Sequence, residues 1–268
     1  MKTMGEPFSP ADGVWEVDAA QLRSRLLLGS ASFASAQIMR ASIVASGAEI
    51  VTVGIQRIQQ GSEADSFVPT LRETVRAVGA RLLPNTAGCT DARSAVNAAM
   101  MARELFDTHW IKLEVIGDRG SLQPDPVELV EAARTLVREG FVVWPYCTDD
   151  VVSCKRLLDA GCSVLMPWGA PIGSGQGLLN PFALQYLRRS LPQAVLIIDA
   201  GIGAPSHAAH AMELGFDAVL LCSAVSRARD PVEMAGAFAA AVRAGRSAWR
   251  AGVMPRSDHA VPSTPVGH

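Results

Sequence analysis

Short apolar runs rich in β-branched residues alternate with helical patterns eight times along the chain, and this alternation limits the fold more than any other feature. The predicted strands are 25–30, 49–54, 81–85, 110–117, 141–147, 163–169, 195–201 and 218–225. Between and after them lie predicted helices at 35–46, 70–79, 91–106, 126–139, 150–160, 181–189, 205–214 and 231–246. Pro69, Asp91, Pro126, Pro181, Pro205 and Pro231 mark first helical turns, and Gly47, Gly79, Gly140, Gly161 and Gly215 stand where helices should stop. Strand then helix, eight times over about 250 residues, is the pattern of a single α/β domain, a (β/α)8 TIM-type barrel. An open doubly wound sheet usually has fewer strands and a GxGxxG at its first turn, which this chain lacks. The barrel is expected over 14–254, with 1–13 a loose N-terminus and 255–268 a flexible tail.

The function classes narrow from there. A formal net charge of −2 gives no general attraction to nucleic acid or to anionic membranes. No apolar run approaches the roughly 18 residues of a membrane helix, and the polar start MKTMGEPFSPADG has no signal-peptide core, so a cytoplasmic enzyme is expected. Five widely spaced cysteines without a CxxC pair argue against a disulfide framework and against zinc. His207 and His210 have alanine neighbours and no carboxylate at ligand spacing, so no metal site is expected from them.

The run WIKLEVIGD, 110–118, poses the chemical question. Side chains alternate faces along a strand, so Ile111, Leu113 and Val115 point one way and Lys112 and Glu114 the other. With the apolar set packed on helices, the amine and the carboxylate must face the barrel interior. Of 24 basic residues only Lys2, Lys112 and Lys155 are lysines, and only Lys112 lies in an apolar strand. Arginine stays protonated, whereas a desolvated lysine can lose its proton and attack a carbonyl. A structural ion pair is a costly way to fill a core, which favours a Schiff-base lysine with an adjacent acid/base.

Barrel active sites lie at the C-terminal ends of the strands. Asp199 ends the seventh strand, where it either caps the next turn or moves protons beside an imine. The small residues of DAGIGAPS (199–206) lead into a helix, at the place where barrels often bind phosphate. GAPIGSGQG (169–177) after strand six suits a loop around an anion or over a substrate, and equally a plain flexible loop. These residues point to an imine between Lys112 and a phosphorylated carbonyl compound, as in a class I aldolase or a sugar-phosphate isomerase.

The chain also resembles the bacterial thiazole synthases of thiamin biosynthesis from about residue 20 to 256, through ASGAEIVTV, LLPNTAGC, WIKLEVIGD, EGFVVWPYCTDD, GAPIGSGQGLLNP, DAGIGAPS and AMELGFDAVLL. The resemblance implies a (β/α)8 fold, a homo-oligomer, and a Schiff base between Lys112 and a sugar phosphate; no cofactor is expected. It implies sulfur supplied by the C-terminal Gly-Gly thiocarboxylate of a ubiquitin-like carrier protein. It makes Glu114 and Asp199 the acid/base pair, and Gly173, Ala200, Gly201, Cys222 and Ser223 the substrate-phosphate contacts.

Three places depart from the family pattern. Gly29-Ser30-Ala31-Ser32-Phe33 stands for the usual Gly-Thr-Gly-Lys-Tyr, Gln56-Arg57 for paired arginines, and Cys222-Ser223 for Asn-Thr. Strands eight, one and two are neighbours in a closed barrel, so these changes form one patch that has lost two basic groups and an amide. A thiazole synthase must also hold a dehydroglycine imine, whose carboxylate calls for a cation. The reading preferred from the sequence is therefore a sulfur-inserting synthase that makes a 2-thiosugar phosphate, with glucose 6-phosphate as substrate. Thiazole synthase acting on 1-deoxy-D-xylulose 5-phosphate is the alternative, and a sulfur-free aldolase or isomerase the third. Cys222 reads as an inert filler.

Overall fold

A computed structural model describes residues 13–55 and 64–264, with no side-chain account for 64–67. Lys2, Gln56 and Arg57 fall outside the described residues.

Eight parallel strands close into a barrel: β3 (Leu26–Gly29), β4 (Ile50–Gly54), β5 (Arg81–Asn85), β6 (Trp110–Leu113), β9 (Val142–Cys147), β10 (Val164–Pro167), β11 (Val195–Asp199) and β12 (Ala218–Leu221). They follow one another around the ring in chain order, and β12 pairs with β3 through Leu221 and Leu28 to close it. The expected (β/α)8 architecture is the observed one. Around the barrel run α1 (Ala36–Ser46), α2 (Ala64–Ala77), α3 (Ala92–Phe106), α4 (Pro126–Arg138), α5 (Val151–Asp159), α6 (Pro181–Ser190), α7 (Pro205–Glu213) and α9 (Pro231–Ala251), with a single turn, α8 (Ser223–Ser226), after β12. Asp91, Asp125, Asp150, Asn180 and Asp230 cap their helices by accepting backbone N–H bonds, which satisfies donors the helix itself leaves open.

Two apolar layers follow from the strand alternation. Ile111, Leu113, Leu196, Ile198 and Val219 face outward into one cluster with helix residues such as Leu129, Leu136, Leu187, Met212 and Phe238. Leu27, Ile50, Leu83, Trp110, Trp144, Met166, Ile197 and Leu220 fill a second cluster with Trp15, Val17, Ala20 and Leu22. Those last four belong to a hairpin, β1 (Trp15–Val17) and β2 (Ala20–Leu22), which the sequence reading assigned to the barrel segment without a strand of its own. It packs under the inward-facing strand residues at the N-terminal end of the barrel and closes the interior from below.

Three boundaries differ most from expectation: the eighth strand, expected over 218–225, ends at Leu221, and Ser223–Ser226 turns as a helix instead. The fourth strand leaves the barrel at Leu113 instead of continuing to 117, because the Glu114 N–H donates to Thr86 Oγ1 (2.8 Å) and not to a neighbouring strand. Ile116–Asp118 (β7) then pairs with Gln123–Pro124 (β8) in a hairpin on the rim. Helix α2 starts at Ala64 rather than beside Pro69, which lies inside it and removes one backbone bond there. Among the described residues, no helix is long and apolar enough to cross a membrane.

Candidate active site

A cavity of about 580 Å³ opens at the strands' C-terminal ends. It is lined by Lys112, Glu114 and Asp199 at its base and by Ser30, Ser32, Gly173, Gly201, Cys222, Ser223 and Arg227 higher up, among others. Lys112 Nζ lies 3.1 Å from Glu114 Oε1 and 2.7 Å from Asp199 Oδ2, and all three residues are buried. Strand alternation brings Lys112 and Glu114 to one face, whereas Asp199 reaches them across the barrel from β11. Asp199 therefore spends its side chain on the amine. It does not cap the following helix, whose N-cap is Ala204.

The electrostatics follow from that burial. Desolvation pushes the Lys112 amine down, but the Asp199 and Glu114 carboxylates outweigh it and the net shift is upward. The two carboxylates thus favour the ammonium form, where desolvation alone would favour a neutral amine. Burial, aided by Glu114 and opposed by Lys112, pushes the Asp199 carboxyl up to about 6. Asp199 Oδ2, 2.7 Å away, is a base within direct reach of the amine, while the ion pair keeps the resting proton on Lys112. The Tyr146 ring centroid lies 5.7 Å from Lys112 Nζ, and burial followed by the two carboxylates pushes its phenol up, so Tyr146 stays protonated under the site.

Thr86 is a positioning residue that the sequence reading passed over. It is fully buried, donates through Oγ1 to the Glu114 carbonyl (2.8 Å) and accepts the Glu114 N–H at the same oxygen (2.8 Å). Its own N–H bonds the Lys112 carbonyl (3.2 Å). The backbone on either side of the reactive pair is fixed by this one threonine. Threonine in a run such as LLPNTAGC carries no local signal of that role.

The two glycine-rich loops pack on each other. Gly169 N–H donates to the Ala200 carbonyl (3.2 Å) and Gly177 N–H to the Gly201 carbonyl (2.8 Å). At Gly201 (φ 81°) a Cβ would come 2.4 Å from Ala170 N, and at Gly203 one would come 2.5 Å from the Gly175 carbonyl oxygen. These glycines are needed for backbone contact between loops, a reason the sequence reading did not foresee. His207 Nδ1 accepts the Gly203 N–H (3.2 Å), and its ring lies against Gly177, so it holds both loops. The packed loops bring Gly173, Ala200 and Gly201 to the same cavity as Lys112.

The chain matches the family model described as thiazole biosynthesis protein ThiG over residues 16–265. The chain belongs to the thiazole synthase family. The thiazole synthase of Coxiella burnetii (strain RSA 493 / Nine Mile phase I) is 54% identical over 253 residues, covering 94% of this chain and 96% of that protein. The one from Rhodopseudomonas palustris (strain BisB18) is 56% identical over 246 residues, covering 92% and 94%. A chain of the Amycolatopsis orientalis BexX/CysO complex superposes with a TM-score of 0.82 at 30% identity, over 91% of this chain and 98% of its own. A native KDPGal structure (TM-score 0.58, 18% identity, 87% of this chain and 98% of its own) shares the fold alone.

Family membership makes the chain a sulfur-transferring enzyme. The patch of departures from the family pattern is contiguous where it is described: β12, β3 and β4 are consecutive, and Ser30, Ala31, Ser32, Cys222 and Ser223 line one cavity. Cys222 donates to the Ala31 carbonyl (3.2 Å), and a Cβ at Gly29 would meet Cys222 Cβ at 2.6 Å, so the cysteine fills space against the strand-one loop. A cation nevertheless stands at this mouth beside the positions that depart from the family pattern. Arg227, which no motif singled out, lines the mouth with an exposed side chain.

Proposed function

We propose that the protein is a thiazole synthase, joining 1-deoxy-D-xylulose 5-phosphate, a dehydroglycine imine and sulfur from a carrier-protein thiocarboxylate. The carrying observation is the Lys112 amine enclosed between Glu114 and Asp199 in a chain 54% identical to Coxiella burnetii thiazole synthase along nearly its whole length. The sequence reading placed a 2-thiosugar product first because the rim had lost cations. Arg227 still offers a cation at the mouth, and the identity level favours the thiazole.

In the first step Asp199 takes a proton from Lys112, freeing the amine to attack the ketone carbon of the sugar phosphate. Glu114, 3.1 Å from the nitrogen, carries the second N–H proton to the carbinol oxygen, and the proton taken by Asp199 joins it as water leaves and the imine forms. The same carboxylates then move a proton between adjacent sugar carbons, shifting the electrophilic carbon along the chain. The thiocarboxylate sulfur adds there, and hydrolysis of the acyl bond releases the carrier. Gly173, Ala200, Gly201, Cys222 and Ser223 hold the substrate phosphate. The carrier tail enters as an extended Gly-Gly strand, since only small residues fit a narrow mouth. The superposition on a chain solved with a second protein, CysO, supports a protein partner on this barrel. The enzyme is cytoplasmic, a homo-oligomer, and free of a resident cofactor.

Borohydride reduction with 1-deoxy-D-xylulose 5-phosphate, read by intact-protein mass, tests this directly. A sugar-phosphate adduct on Lys112, absent in Lys112→Arg, is the expected result. An unchanged mass with every phosphorylated carbonyl sugar overturns it. Ser32 and Cys222-Ser223, which depart from the family pattern, favour the 2-thiosugar reading as the second. That reading predicts trapping of glucose 6-phosphate and rejection of the pentulose phosphate.

A further inference from the structure

The base of the mouth sets one ammonium against two carboxylates, so it carries excess negative charge once both acids are ionised. Both small reactants of the proposed reaction are themselves anions, a phosphate ester and a carboxylate. Lys112 cannot offset them, being already outmatched by its own partners. Among the described residues that line the cavity, Arg227 is the other cation.

Its placement is fixed. Arg227 closes the turn Ser223–Ser226, with its N–H bonded to the Ser223 and Val225 carbonyls. Its side chain is exposed and forms no ion pair with a described residue. Asp230, close in sequence, is occupied in capping Val232 and Glu233. Across the seam between β12 and β3, the bond from Cys222 to Ala31 ties the loop that carries Arg227 to the loop that carries Ser32, and both residues line the one cavity. Ser32 is the position where the family pattern has lysine.

We propose that Arg227 reads the anionic group of a reactant at this mouth, in place of the lysine the family carries at position 32. The inference rests on the thiazole synthase reading, which supplies two anionic reactants. A guanidinium offers two parallel N–H donors to a phosphate or a carboxylate, so it replaces an ammonium with gain in geometry. Ser32 already has a left-handed backbone (φ 64°) and an exposed side chain, so a lysine there needs no new conformation.

The test uses the full chain and four proteins: the parent, Arg227→Gln, Arg227→Lys, and Ser32→Lys combined with Arg227→Gln. Half-saturation by 1-deoxy-D-xylulose 5-phosphate is read from borohydride trapping on Lys112. Half-saturation by the imine of glyoxylate and ammonia is read from turnover with thiocarboxylated carrier. Arg227→Gln should raise one of the two by about 10- to 100-fold, the loss of one charged hydrogen-bonded contact. Arg227→Lys should recover part of it, and Ser32→Lys should restore it on the Gln background, a rescue that a merely structural arginine would not show. A rise in trapping assigns the phosphate, and a rise in turnover alone assigns the carboxylate. Changes under about twofold in both, or a rise that Ser32→Lys leaves untouched, overturn the inference. Loss of trapping in the parent overturns the Schiff-base reading beneath it, whereas trapping that ignores Arg227 overturns this inference alone.

Discussion

Lys112 Nζ lies 2.7 Å from Asp199 Oδ2, although their strands, β6 and β11, are separated by two others around the barrel. The contact is possible because both side chains point into a closed ring whose lower half is filled by tryptophans and aliphatic groups. It gives the amine a proton acceptor within reach, with its own pKa raised toward neutrality.

Removing the amine leaves two carboxylates buried side by side. Lys112→Met should abolish borohydride trapping and lower stability at pH 8 by about 3–5 kcal/mol, as for other broken buried pairs. The loss should shrink below pH 5, where one carboxylate binds a proton. Urea unfolding at the two pH values measures it; an equal loss at both would show that the carboxylates do not repel.

Asp199 sets a pH limb. Its carboxyl is pushed up to about 6, so imine formation should rise as pH climbs through 6 and the ionised form becomes available to accept the Lys112 proton. Asp199→Asn should lower the rate and erase that limb in pH-resolved trapping. The stability sign is the reverse. A carboxyl whose folded pKa exceeds its unfolded 3.8 contributes stability complete below 3.8 and lost as pH rises through about 6. The parent should therefore lose more stability than Asp199→Asn between pH 4 and pH 7.

Thr86→Val keeps the shape of the side chain and deletes its oxygen. It strands the buried Glu114 N–H, which should lower stability by about 1–3 kcal/mol. Trapping should persist at a reduced rate, since Glu114 remains but its backbone is no longer held. A variant as stable and as fast as the parent would remove Thr86 from the positioning role.

Gly201→Ala tests the loop contact. Its φ of 81° and the 2.4 Å approach to Ala170 N leave no room for a methyl group. Thermal unfolding should show a loss of about 2 kcal/mol or more, with weaker sugar-phosphate half-saturation. Ala at Gly173, where nothing lies within 4 Å of the added Cβ, should lose only the smaller backbone component.

Much of this fold is legible in the chain because its determinants are local. The barrel strands fall within the predicted runs because β-branched alternation and helix stops act over a few residues. Lys112 and Glu114 share a face for the same reason. The hairpin under the barrel escaped notice since WEV and AQL are too short to carry a period, and only the open barrel end beneath them gives them a place to pack. Thr86 and Arg227 escaped because nothing in their neighbouring residues distinguishes a threonine that pins a backbone or an arginine that faces a cavity.

The sequence by itself determined eight strand–helix units, the inward pair on the fourth strand, and the family. Only the tertiary structure decided that Asp199 is the second partner of Lys112, that the resting amine is charged, and that a cation remains at the mouth. Those three depend on distances between segments far apart in the chain, and such distances exist only once the sheet has closed on itself.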